Sequence, residues 1–366
     1  MRSIGSESQD FASDLLAGRQ ILVTGGSGSL GTAFVERALS GAHGPPERVV
    51  VFSRDEAKQH DLRIRWARLG AATDDAIWSD SLRRVKFHVG DVRDVDSLSN
   101  AMDGIDTVIH AAALKQVPTC EYFPEQAYRT NVVGADNLVS AVRRNRASLK
   151  TVVGVSTDKA VKPVNVMGMS KSLQERILSK ANLDLPDCRF VLVRYGNVVA
   201  SRGSVIPLFA EQAASGGPLT ITDSAMTRFL LSLSDAVDAI LRSLIHARRG
   251  ETLVPLIPSA RIIDLARAVA GNDDIDIRVT GVRPGEKLHE ILVSEEERHR
   301  TVQRGEDLFI SSILPELREG APDGIEPHFP VEYSSEDSPV GVAELRRMLG
   351  RAGLLEAADK VDHQSR

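Results

Sequence analysis

A chain of 366 residues with 42% hydrophobic and 26% charged side chains is long enough to bury a large α/β core, with or without a smaller companion, and is not a disordered tract. A formal net charge of −5 and 4% aromatic content lack the basic excess and the stacking platforms that nucleic-acid binding needs, so no nucleic acid partner is expected. Cys120 and Cys188 are too few for a disulfide framework or a zinc site, no apolar run approaches a bilayer span, and the polar N-terminus has no signal core; a cytoplasmic protein without metal or membrane insertion is expected.

Residues 1–18 read as a flexible lead-in. The β-branched run Gln20 to Thr24 then leads into the glycine stretch Gly25 to Gly31, after which Leu30, Phe34 and Ala38 recur at helical spacing: strand, tight loop, helix. Further apolar runs at Arg48 to Phe52, Val85 to Val89, Thr107 to His110, Thr151 to Val155 and Phe190 to Tyr195 alternate with helical stretches. That alternation predicts an α/β fold, a Rossmann-type doubly wound parallel sheet, over residues 19–197. The long connection 53–84 carries Arg63, Arg65 and Arg68 on a solvated helix and reads as a surface elaboration. After Asn197 the alternation weakens, with Leu219 to Ile221 and helices at Ser234 to His246 and Ile262 to Ala270, so 198–334 is expected to be mainly a smaller substrate-binding lobe. Residues 317–338, rich in Pro, Gly and acids, read as extended; a last amphipathic helix near Val340 to Leu349 belongs to a C-terminal helix and tail, 335–366.

The segment TGGSGSLG places Gly25, Gly28 and Gly31 where a backbone must turn sharply and approach a pyrophosphate, with the helix start near Ser29 favouring its charge. At the end of the second strand come Ser53, Arg54, Asp55 and Lys58. An acid there chelates the ribose hydroxyls of NAD, whereas a hydroxyl and a guanidinium hold a 2′-phosphate, so Arg54 selects NADP over NAD. Asp91 and Val92, after the third strand, are placed to meet adenine. Thr157, Asp158 and Lys159 gather at the carboxyl end of a strand, where such sheets put chemistry. His110 reads as a packed core residue.

The stretches TGGSGSLG, SRDEAKQ (from Ser53), HAAALKQVP (His110), STDKAVKPVN (Ser156), RYGNVVASRGSV (Arg194), PLTITDSAMTRF (Pro218) and RPGEKLHE (Arg283) together resemble the UDP-N-acetylglucosamine 4,6-dehydratases of polysaccharide and flagellin-sugar biosynthesis. These are a branch of the extended short-chain dehydrogenases, and the resemblance runs from Thr24 to about Ser334. It implies a homo-oligomer and a UDP-sugar substrate. It also implies cofactor contacts from Gly25, Ser27, Gly28, Ser29, Leu30 and Gly31, from Ser53, Arg54, Lys58, Asp91 and Val92, and from Ala111, Ala112, Ala113 and Val198, with Lys171 on the nicotinamide ribose. Lys115, Asn197, Arg202, Val205, Arg228, Arg283 and Glu286 would line the sugar nucleotide.

The implied reaction moves a hydride from sugar C4 to NADP, eliminates water across C5 and C6, and returns the hydride to C6. Lys159 is the expected base at C5, provided burial and the cations around it leave it neutral, and Asp158 the acid at the C6 hydroxyl. One position departs from the usual short-chain dehydrogenase pattern: four residues before Lys171, where a tyrosine takes the hydroxyl proton, stands Met167. A thioether has no proton to exchange, although membrane-anchored relatives resemble this pattern with methionine. The alternatives are a 4-epimerase, which would return the hydride to C4, and a protein that binds NADP without catalysis.

Overall fold

The computed structural model describes residues 13–72, 82–199, 205–318, 324–329, 331–351 and 353. Six runs of apolar and β-branched residues form the strands β1 (Gln20–Thr24), β2 (Arg48–Ser53), β3 (Val85–Val89), β4 (Thr107–His110), β5 (Thr151–Thr157) and β6 (Arg189–Tyr195). Shorter strands follow: β7 (Asn197–Val198), β8 (Leu219–Ile221), β9 (Thr227–Leu231), β10 (Thr252–Pro255), β11 (Ser259–Arg261), β12 (Ile277–Val279), β13 (Ile291–Val293), β14 (Thr301–Arg304), β15 (Asp307–Ile310) and β16 (Tyr333–Ser334).

Among the described residues a nine-stranded sheet runs β14-β15-β10-β6-β5-β4-β1-β2-β3. The strands from β10 to β3 pair in parallel, and β15 and β14 close the far edge antiparallel. This is the doubly wound Rossmann order, with the crevice outside the carboxyl ends of β1 and β4 where the winding reverses. Strands β1, β2, β4, β5 and β6 are largely buried on both faces, as a sheet covered by helices requires, whereas the edge strand β3 is half-buried to exposed. Along β1 the alternation is visible: Ile21 and Val23 pack with Phe34 and Val35 of helix Ser29–Leu39, whereas Leu22 joins Leu98, Leu138 and Leu178 on the other face.

The chain re-enters this sheet after residue 197. Helix Leu233–His246, started by a capping box between Ser232 and Asp235, lays Ala236, Val237, Ile240 and Leu244 on the first core, and β10, β14 and β15 extend the sheet. A sequence division at 197 therefore does not follow the packing, because sheet-covering helices keep the same amphipathic period wherever they occur. A separate core of Phe209, Leu219, Ile221, Leu265, Val269, Leu345 and Leu349 joins helices Val205–Ala214, Ile262–Ala270 and Val342–Arg351 into a smaller lobe.

Three local features differ from expectation. Within the presumed lead-in, Leu16 is fully buried and its N–H donates to His43 O at 2.7 Å, so the polar stretch is anchored by its one well-placed leucine. On helix Glu56–Ala72 the three arginines are exposed as expected, but Leu62 and Trp66, one turn apart, are buried, and Trp66 Nε1 donates to Glu36 Oε1 at 2.8 Å. β5 runs on to Thr157, paired with Tyr195, because β6 offers it a partner that far. No helix among the described residues is long and apolar enough to cross a membrane.

Candidate active site

The chain leaves β1 through Gly25 at φ +70°, and a Cβ there would lie 2.8 Å from Ala112 N. At Gly31 a Cβ would lie 2.5 Å from Gly25 O, so the loop closes only with glycines and rests on the backbone of Ala111 and Ala112 beyond β4. Gly28 is the N-cap of helix Ser29–Leu39, and no side chain caps the first turn, which leaves its amides for an anion; Leu30 in that turn is half-buried. Ser27 Oγ meets Ser53 Oγ at 2.7 Å, joining the loop to the end of β2. Arg54 is exposed beside it, and Lys58 pairs with Asp55. Asp91 accepts from Arg93 at 2.6 Å; burial raises its pKa, but Arg93 and the charge of Arg54 outweigh this and hold the carboxyl low. Val92 is buried against Gly134.

At the end of β5, Thr157 caps the turn Asp158–Ala160 and donates from its hydroxyl to Asp158 Oδ1 at 2.9 Å. Asp158 is fully buried, its Oδ2 has no hydrogen-bond partner among the described residues, and a Cβ at the adjacent Gly196 would stand 3.3 Å from that oxygen. Lys159 Nζ donates to Asp158 Oδ1 and to Asn197 Oδ1, each at 3.0 Å, and stands 3.4 Å from Glu290 Oε1. In the chain by itself, burial and nearby cations do not leave Lys159 neutral. Burial does oppose its charge, but Asp158 and Glu290 outweigh burial and Arg228, and the pKa is raised. Glu290 itself is raised, by burial first and with Lys159 acting against it. The motif HE at the end of RPGEKLHE contained this carboxylate, but no periodicity marks it as pointing at a residue so distant in sequence.

Helix Val166–Asp184 carries Lys171 and Met167. Its N-cap Asn165 accepts from Gly168 N–H at 2.7 Å and donates to Gly285 O at 2.7 Å, so the same side chain starts the helix and ties down the loop 283–287. Lys171 Nζ donates to Val155 O at 2.6 Å and Gln174 Oε1 at 2.8 Å; burial lowers its pKa to about 8, with Glu175 pulling the other way. Met167 is buried with Cys120 and Ala127. A turn of π-helix, Tyr128–Val133, which the sequence does not announce, aims Asn131 at Leu114 N–H (2.8 Å), Leu114 O (3.0 Å) and Ser170 Oγ (2.9 Å), fixing this helix to the end of β4. His110 bonds Thr24 Oγ1 at 2.8 Å, and burial, then Lys171, lower its pKa to about 3, leaving a neutral imidazole in the core.

Of the residues expected on the sugar nucleotide, Asn197 meets Lys159, and Arg228, buried, donates to the carbonyls of Thr227, Lys287 and Leu288 next to Glu290. Arg283 is exposed in the loop that Asn165 clamps, its N–H donating to Glu286 at 3.3 Å, while Lys287 Nζ donates to Val161 O at 2.5 Å. Lys115 is exposed, Val205 begins helix Val205–Ala214, and Val198 pairs with Leu231. Arg202 lies outside the described residues.

The polysaccharide biosynthesis protein family matches residues 21–312. A protein named UDP-glucose 4-epimerase from Rickettsia conorii is 45% identical over 284 residues, 76% of this chain and 79% of that one; another of that name from Rickettsia canadensis is 44% identical over 294 residues, 79% and 81% of the two chains. Among solved structures, Pen from Bacillus thuringiensis superposes with a TM-score of 0.81 at 30% identity, covering 93% of this chain and 99% of that one. DesIV, a dTDP-glucose 4,6-dehydratase from Streptomyces venezuelae with NAD and TYD bound, shares the fold at 24% identity and a TM-score of 0.61, covering 74% and 86%.

Proposed function

The chain belongs to the polysaccharide biosynthesis protein family, with sugar-nucleotide epimerases and dehydratases of the extended short-chain dehydrogenase type among its relatives, and from that premise we propose that it is an NADP-dependent 4,6-dehydratase of a UDP-linked N-acetylhexosamine. The observation that carries the reading is the buried Asp158–Lys159 pair at the carboxyl end of β5, with Asp158 Oδ2 unpartnered. A 4-epimerase needs a hydride acceptor and a route for the C4 hydroxyl proton; an additional buried acid and amine suits the loss of a C5 proton and a C6 hydroxyl.

The glycine loop suits a pyrophosphate, and Ser27, Ser53 and Arg54 suit a 2′-phosphate. Asp91, Val92 and Ala111–Ala113 would flank the adenosine half, and Lys171 and Val198 the nicotinamide half. Bound NADP would supply the hydride acceptor for sugar C4 and give the hydride back at C6, with no net redox change. Lys159 takes the C5 proton, and Asp158 donates a proton to the departing C6 oxygen. Lys171, with its depressed pKa of about 8, receives the C4 hydroxyl proton that Met167 cannot. Asn197, Arg228, Arg283 and Glu286, with Lys115, Arg202 and Val205, hold the sugar nucleotide, the guanidinium groups facing its diphosphate.

The second reading, a 4-epimerase, is favoured by the names of the Rickettsia relatives. Mass spectrometry of UDP-N-acetylglucosamine incubated with protein and NADP separates the two: loss of one water is expected, and an isomer of unchanged mass would install the epimerase instead. For the cofactor, Arg54→Asp should weaken NADP by roughly 1.5 to 3 kcal/mol, the range of a charge-assisted contact, and narrow or reverse the preference over NAD, whose ribose hydroxyls the new carboxylate can accept. Calorimetry showing equal affinity for NAD and NADP in the unaltered protein would overturn the 2′-phosphate assignment.

A further inference from the structure

Two buried carboxylates flank the Lys159 ammonium, and they differ in origin. Asp158 is its neighbour in sequence, whereas Glu290 arrives from the loop before β13. The backbone of Glu290 is pinned, its N–H donating to Ser335 Oγ at 2.9 Å, and that hydroxyl meets Thr227 Oγ1 at 2.7 Å. Its side chain, 3% exposed, is not saturated: among the described residues Oε2 has no hydrogen-bond partner, and Lys287 Nζ stands 3.8 Å away. A buried carboxylate kept only for structure has both oxygens satisfied.

Lys159 as an ammonium cannot take a C5 proton. The acceptors around Nζ are Asp158 Oδ1, Asn197 Oδ1 and Glu290 Oε1. The Asn197 amide is not a base, and Asp158 serves the C6 oxygen. We propose that Glu290 is a positioning residue for the base, the proton acceptor that discharges Lys159. The inference rests on the dehydratase reading. One proton passes from Lys159 Nζ to Glu290, turning ammonium and carboxylate into amine and carboxylic acid. The amine then takes the C5 proton while the C–H electron pair stays on the sugar as the enolate of the 4-keto group. The C6–O bond breaks and the leaving oxygen takes the proton of Asp158, which enters the cycle as the carboxylic acid and is reprotonated through solvent by the C4 hydroxyl proton that Lys171 received. After the hydride reaches C6, Lys159 returns a proton to C5 and recovers one from Glu290.

The exchange conserves the charge of the cluster, so no new ion is created in a dry site. The groups facing Glu290 are Asp158, which raises its pKa, and Lys159, Arg228 and Lys287, which lower it; burial is the largest influence, and the net direction is upward, toward an acceptor that holds a proton.

The alternative role is a clamp that only keeps Lys159 charged, and it predicts the opposite result. With UDP-N-acetylglucosamine and NADP in deuterated water, an unaltered protein that neither loses water nor labels C5 would refute the dehydratase reading itself. Given labelling, Glu290→Gln should slow deuterium entry at C5 by about 10²-fold or more, with calorimetric NADP affinity unchanged and single-turnover cofactor reduction far less affected. Glu290→Asp should recover part of the rate with a displaced pH profile. Exchange in Glu290→Gln at or above the unaltered rate establishes the clamp and overturns the proposal. Should that variant not fold, carbon-13 NMR of the lysine Cε signals in the unaltered protein decides: Lys159, assigned through Lys159→Arg, should titrate in two steps shared with a glutamate carboxyl signal, and a single independent step overturns the proposal.

Discussion

Two charged clusters are buried at neighbouring ends of β5 and β6, and their hydrogen-bond accounts differ. Around Arg194 every partner is matched: its guanidinium donates to Glu175 at 2.8 and 3.0 Å, to Glu297 at 2.7 and 3.0 Å and to Leu292 O at 2.9 Å. Glu175 also accepts from Ser156 Oγ at 2.6 Å, and Glu297 from Arg300 at 3.2 Å. Around Lys159, in contrast, Asp158 Oδ2 and Glu290 Oε2 are buried without hydrogen-bond partners among the described residues, with Lys287 Nζ 3.8 Å from the latter. The first cluster ties β5, β6, helix Val166–Asp184 and helix Glu295–Arg298 together; the second retains lone pairs that can exchange protons. Saturation, rather than burial or charge, separates scaffold from chemistry.

The largest expected effect falls on the unsaturated cluster. Lys159→Ala should lower dehydration by on the order of 10² to 10⁴ while a 4-keto sugar and reduced cofactor still form in a single turnover; near-normal dehydration would erase the contrast. On the saturated side, Arg194→Met leaves two carboxylates buried without their counter-charge. It should cost about 3 to 5 kcal/mol in denaturant unfolding, with little change in turnover where the fold persists.

Acid titration sharpens the same comparison. Burial works against ionised Glu297, yet Arg194 and Arg300 prevail and bring its pKa to about 2, so the stabilisation is fully present above the ordinary carboxyl range and is lost as pH falls from there toward 2. Glu290, shifted upward, acts in the opposite sense: the stability it contributes below the ordinary range is lost as pH rises through it. Melting curves between about pH 2 and 7 should therefore show an acid limb that Glu297→Gln flattens, by on the order of 3 kcal/mol. An unchanged limb would mean that Glu297 is not held as the geometry indicates. The smallest effect is expected at Met167, which lies among Cys120 and Ala127. Met167→Leu should alter stability by less than about 1.5 kcal/mol and turnover within about threefold, since neither side chain carries an exchangeable proton. A dead Met167→Leu enzyme would place the thioether in the chemistry.

Local information was enough for the Rossmann strands, the glycine loop and the extents of helices Leu233–His246 and Ile262–Ala270, because these depend on period-2 and period-3.6 patterns and on backbone freedom at Gly25, each a property of a few consecutive residues. It was also enough to bring Thr157, Asp158 and Lys159 to a strand end. The Leu62–Trp66 pair and Leu16 were missed because one or two apolar residues in a charged stretch make too short a period to stand out from a solvated surface segment. The return of helix Leu233–His246 to the first core was missed because a helix pattern says which face is apolar and not which surface covers it.

The protonation of Lys159 was beyond the reach of sequence for a different reason. Burial alone lowers a lysine pKa, and the chain advertises burial; the sign of the shift is decided by Asp158 first and then by Glu290, which stands at 3.4 Å only because β13 and the loop tied by Asn165 and Lys287 carry it there. Sequence determined which acids and amines the protein owns and the strand end at which they collect. Tertiary structure alone decided their charge, since Coulomb energy in a dry site varies with ångström distances between residues that the chain keeps far apart.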